Sequence, residues 1–134
     1  MIGGEFCFKT RVYYQDTDCE GVVYYANYLT YFERARMEYL EHSGLDLLEL
    51  KGKGILFAVA KAEISYKFPA RLGDILDIYT KVEKVGASKI VFSYEVRRDK
   101  DNKLLALGST VLVCISEDFR PIPLPEFVRE KIVI

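Results

Sequence analysis

Histidine occurs once in this chain, at His42, and that scarcity removes several chemistries at once. A serine hydrolase needs an imidazole to activate its nucleophile, and neither a suitable histidine nor a G-x-S-x-G turn is present. Cysteine is nearly as sparse. Cys7, Cys19 and Cys114 are odd in number, widely spaced and without a C-x-x-C pair, which argues against a disulfide framework or a zinc site. Cys7 and Cys114 sit in strand-like patterns and read as reduced core or near-core thiols. Cys19 lies in a polar loop with no neighbouring base, so a nucleophilic role is disfavoured. The chain also lacks a basic run, and its formal charge is −1, so it has no electrostatic footprint for nucleic acid. No apolar segment is long enough to span a bilayer, and the opening residues Met1 to Lys9 carry neither the basic nor the apolar stretch of a secretion signal. The expectation is a soluble, cytoplasmic protein with no nucleic-acid partner and no membrane insertion.

What is present fits one domain over residues 1–134, half of whose residues are hydrophobic. Phe6, Phe8, Thr10, Val12 and Tyr14 alternate with Cys7, Lys9, Arg11 and Tyr13, the period of a half-buried strand. Tyr28, Leu29, Phe32, Ala35, Tyr39 and Leu40 then recur at helical spacing up to a stop at Gly44, predicting a helix of about 16 residues. Glu33 and Arg36 are spaced to pair on its surface. Lys51 to Gly54 reads as a loop. Strand alternation resumes at Leu56–Phe68, Leu76–Val82 and Ile90–Val96, and Leu104–Ile115, apolar at nearly every position, reads as a central strand covered on both faces. A short terminal helix is expected from Glu126. One long helix followed by about five antiparallel strands in all predicts a twisted sheet curled round the helix. Phe57, Val59, Tyr79, Val91 and Leu112 are assigned to the opposite sheet face, and that apolar surplus predicts association with further subunits.

The segment before the helix carries the chemistry. Asp16-Thr-Asp18-Cys-Glu-Gly21 places two carboxylates and a glycine turn just ahead of a helix N-terminus, where backbone N–H groups without intrahelical partners can stabilise a developing negative charge. The same residues also describe an ordinary turn in which Asp side chains bond their own backbone. A calcium loop fails because its twelfth position, which requires a bidentate Glu, is Asn27.

The longer pattern Tyr14-x-Asp16-Thr-Asp18-x-x-Gly-Val-Val-Tyr-Tyr25-x-Asn-Tyr28-x-x-Tyr-Phe-Glu33-x-Ala-Arg36 resembles the signature of the 4-hydroxybenzoyl-CoA thioesterase family, nearest its Tol-Pal-associated acyl-CoA thioesterase branch. The resemblance implies an α+β hotdog fold, a curved sheet of about five strands wrapped around one long helix. It implies an acyl-CoA thioesterase that releases a free acid and CoA without a metal or redox cofactor, built as a homodimer or homotetramer with active sites at subunit interfaces. Asp18 matches the family's catalytic carboxylate, acting as nucleophile or general base, and the Tyr25 N–H its carbonyl-polarising donor. Tyr25 departs from the histidine that many members of the nearer branch carry. Asn27 is expected to support the loop or cap the helix at the substrate site. Val59 and Lys61 are expected to line the pocket from a partner subunit, and Ser88 and Lys89 to meet the CoA moiety. A non-catalytic domain binding acyl-CoA or acyl carrier protein remains an alternative. A hotdog hydratase is disfavoured because His42 lies roughly 20 Å or more along the helix from its start.

Overall fold

The computed structural model describes residues 6–132. Five strands form one antiparallel sheet: β1 (Phe6–Arg11), β2 (Leu56–Tyr66), β3 (Ile75–Val85), β4 (Lys89–Arg98) and β5 (Lys103–Ile115), in the spatial order β1-β3-β4-β5-β2. The long helix α1 (Asn27–His42) packs on one face of the sheet, with the short helices α2 (Leu47–Gly52) and α3 (Glu126–Lys131) at the periphery. This is the hotdog arrangement. No helix among the described residues is long and apolar enough to cross a membrane.

The core lies between α1 and the sheet. Leu76, Ile78 and Val82 of β3, Ile90, Phe92, Tyr94 and Val96 of β4, and Tyr31, Phe32 and Ala35 of α1 are all buried there. Phe32 stacks on Tyr94 with centroids 4.3 Å apart. Helix and sheet approach so closely that a Cβ on Gly108 would run into the Phe32 ring, which explains a glycine in the middle of β5.

Three sequence expectations are corrected. β2 is out of phase with a simple alternation, because a bulge between Val59 and Lys61 inserts Ala60 and reverses the faces on either side of it. Phe57 and Val59 therefore face α1, opposite Cys114 and the buried Leu112, and only Tyr79 and Val91 of the five residues assigned to the outer face lie on it. β5 is central in the sheet, but its outer face is open enough to leave Leu107 at 37% exposure in one chain. α2, which the sequence reading did not anticipate, takes in the first two residues of the loop expected at 51–54, and its start is capped by Asp46, whose Oδ1 accepts from the backbone N–H of Leu48 at 2.9 Å.

The α1 stripe also differs in membership. Leu29 is 41% exposed, whereas Arg36 is buried at 9% exposure and makes no ion pair with Glu33. Position 36 falls one turn from Phe32 and Leu40, on the apolar side of the helix, which outranks the i,i+3 charge spacing.

Candidate active site

The two motif aspartates have opposite environments. Asp16, at the end of a 3-10 turn (Tyr14–Asp16), is buried. Its Oδ2 accepts the Tyr13 N–H at 2.9 Å and its Oδ1 accepts from Asn27 Nδ2 at 2.8 Å, tying the turn to the first residue of α1. The Asp16 carbonyl also accepts the Tyr24 N–H at 2.9 Å. Asn27 thus ties the loop to the start of α1 and is not the helix cap, a place taken by Ala26. The buried Tyr31 hydroxyl lies beside this cluster without a well-formed hydrogen bond, and burial, then the Asp16 charge, hold its pKa well above the usual phenol range.

Asp18 is exposed on the same loop. Its Oδ1 accepts the Glu20 N–H at 2.8 Å and more weakly that of Val22 at 3.4 Å, so the turn reading of this motif is correct for one oxygen. Its backbone N–H donates to the Val22 carbonyl at 2.9 Å, and Gly21, at φ +78°, supplies the left-handed residue the reversal requires. Oδ2 bonds to nothing among the described residues and faces solvent. The side chain is therefore oriented by one oxygen and available through the other.

The loop delivers the chain to α1 through Tyr24 and Tyr25. The Tyr25 N–H donates to no group among the described residues, and it sits two residues ahead of the first residue of α1, at the positive end of the helix dipole. Its carbonyl accepts from the Tyr66 hydroxyl at 2.8 Å, which joins the end of β2 to the start of the helix. The Tyr25 ring is 63% exposed. With Val23, Tyr28, Tyr66, Phe68 and Pro69 it lines a depression of about 230 Å³. An unused amide at the rim of an aromatic depression, with an exposed carboxylate on the loop that leads into it, suits attack on a carbonyl: the carboxylate supplies or activates a nucleophile, and the amide stabilises the resulting oxyanion.

Comparison with known proteins decides among carbonyl chemistries. Residues 12–132 match the family described as the thioesterase-like superfamily. The chain belongs to that superfamily. It is a thioesterase of the hotdog fold, an enzyme that hydrolyses thioesters. It is 36% identical over 124 residues to the acyl-CoA thioester hydrolase YbgC of Escherichia coli O6:H1, covering 92% of both chains. It is 36% identical over 132 residues to the acyl-CoA thioesterase YbgC of Haemophilus influenzae, covering 96% of this chain and 95% of that one. Among solved structures, a 1,4-dihydroxy-2-naphthoyl-CoA thioesterase from Synechocystis superposes with a TM-score of 0.89 at 29% identity, covering 96% of each chain.

The remaining expected site residues of this thioesterase do not gather round Asp18 within one chain. Val59 lines a separate cleft of about 300 Å³ between α1, α2 and β2, together with Arg36, Met37, Leu40, Phe57 and Leu112. Lys61 lies beyond the bulge on the other sheet face and is ion-paired with Glu63 at 2.8 Å. Ser88 and Lys89 lie at the β3–β4 turn, where the Ser88 carbonyl accepts the Cys114 N–H at 2.8 Å. The Asp18 loop is anchored beside Ala70 and Arg71, ahead of β3, so the 11 residues of β3 separate it from Ser88. That strand is about 35 Å long. Sequence reasoning did not place Arg36 in this cleft, although its position on the apolar stripe of α1 was readable.

Proposed function

We propose that this enzyme hydrolyses acyl-CoA thioesters with Asp18 as its catalytic carboxylate. The observation that carries the assignment is the division of labour at Asp18: Oδ1 is held by the Glu20 N–H, while Oδ2 is unbonded and open. Oδ2 either takes a proton from the attacking water or attacks the carbonyl itself to give a mixed anhydride that water then cleaves. On both routes the carbonyl oxygen becomes an oxyanion, for which the Tyr25 N–H at the start of α1 is the donor. Collapse of the tetrahedral centre expels CoA as its thiolate, a leaving group that needs no protein acid. Buried Asp16 and half-buried Asn27 hold the loop and the helix start in register and do not touch substrate.

Two chains complete the site. β2 is an edge strand of 11 residues, exposed from Val59 to Glu63, and its outer edge is a template for a second copy. Antiparallel pairing about its middle sets the Tyr66 end of one strand against the Leu56 end of the other. The aromatic depression and Asp18 of each chain then face the partner's Val59 cleft, so the acyl group occupies the interface. Ser88 and Lys89 reach the CoA phosphates only from a neighbouring subunit, and Lys61 contributes charge at the outer face.

The test is turnover of Asp18→Asn. Loss of about 10²- to 10⁴-fold in kcat with acyl-CoA binding kept supports the assignment. Undiminished turnover removes Asp18 from the mechanism.

A further inference from the structure

One buried cation is left unused by this chemistry. Arg36 is only 9% exposed, yet it lines the cleft of about 300 Å³ beside Val59. Its sole side-chain hydrogen bond among the described residues runs from Nη1 to the Tyr94 hydroxyl, at a long 3.3 Å, and that hydroxyl shares a 2.7 Å bond with Thr110 Oγ1. A guanidinium carries five N–H donors and does not lose its proton in proteins. Among the described residues, no carboxylate stands within ion-pair distance of it. Glu33 lines the same cleft but is exposed and unpaired with it. A charge buried without a counter-charge is costly to keep, and apolar side chains of similar size would fill the position without that cost. The rest of the cleft wall, including Met37, Leu40, Phe57 and Leu112, is apolar and suited to methylene groups.

We propose that Arg36 is a specificity residue that binds a carboxylate at the far end of the acyl group, so that the preferred substrates are CoA thioesters of dicarboxylic acids. The proposal rests on the paired-subunit reading above, in which the partner's Asp18 faces this cleft and the acyl chain runs from that carboxylate toward Arg36. Two guanidinium N–H groups free to form parallel bonds to one carboxylate give both charge compensation and direction.

The experiment compares kcat/KM for adipoyl-CoA and hexanoyl-CoA, which share a six-carbon acyl chain and differ by the terminal carboxylate. The wild type should favour adipoyl-CoA by about tenfold or more, the scale of one charge-assisted contact. In Arg36→Met the ratio should fall to about one or below, chiefly through KM for adipoyl-CoA. Arg36→Lys, which keeps the charge and loses the fork, should give an intermediate ratio. Should Arg36→Met fail to fold, the wild-type ratio and the lysine variant still decide. Hexanoyl-CoA turnover without an adipoyl preference overturns the role of Arg36 while leaving the thioesterase intact, as does a preference that survives Arg36→Met. Absence of turnover on every acyl-CoA would instead overturn the acyl-CoA reading itself.

Discussion

Asp16 and Asp18 stand two residues apart and have different work. The sequence pattern located both, and the resemblance singled out Asp18, but burial separates them in a way no spacing reveals: one carboxylate bonds inward to Asn27 and the other keeps an open oxygen. Asp18→Asn retains the Oδ1 acceptor for the Glu20 N–H, so denaturant unfolding should place it within about 0.5 kcal/mol of the wild type. Asp16→Ala strips partners from the Tyr13 N–H and the Asn27 amide and should cost about 3 kcal/mol in the same assay. Label that enters the Asp18 carboxylate in a single turnover in ¹⁸O water identifies the anhydride, whereas label confined to the released acid is common to water attack on the thioester and on the acyl carbon of an anhydride. The thiols divide by environment as well. Burial raises the pKa of Cys7 and Cys114, whereas Cys19 is exposed. Brief alkylation of the native protein near neutral pH should modify Cys19 first, as peptide mass spectrometry would locate.

At the scale of elements, α1 was the most legible part of the chain, because a 3.6-residue apolar period over four turns admits few other readings. β2 was not, because one inserted residue at Ala60 reverses which side chains face the helix, and a bulge leaves no mark in an otherwise regular alternation. α2 had a readable signal that was passed over: Asp46 followed three residues later by Glu49 is a helix-start pattern, and Asp46 does cap it. Gly108 links the helix to the sheet. Gly108→Ala drives a methyl group into the Phe32 ring and should destabilise by about 1–3 kcal/mol. Phe32→Leu in that background should recover part of the loss, and a thermodynamic cycle of the four proteins should show coupling.

On the scale of the whole molecule, the proposed active site belongs to paired chains. Val59 and Arg36 line a cleft that does not include Asp18, and the proposed pairing of two chains, which would bring them together, leaves no mark in a single-chain pattern. Light scattering at micromolar concentration should give at least twice the chain mass. Hydrogen exchange should find the β2 amides protected across the 59–63 stretch that a lone chain leaves exposed. A monomer with freely exchanging β2 amides would contradict the shared site. Surface charge adds an acid boundary. Arg98 bonds to Asp101 and lowers that carboxyl to about 2, so its contribution to stability is present above the unfolded value of about 3.9 and is lost as pH falls through about 2. A carboxyl titration followed by NMR should place the Asp101 midpoint near that lower value.

Thiol release from a panel of short-chain, long-chain, aromatic and dicarboxylic acyl-CoAs, run side by side on the wild type and Asp18→Asn, tests the central claim most directly. The wild type should turn over at least one panel member and the variant should lose that turnover, with identical circular dichroism for the two proteins. Equal turnover by both would remove Asp18 from the chemistry, and no turnover by either would contradict hydrolysis of acyl-CoA.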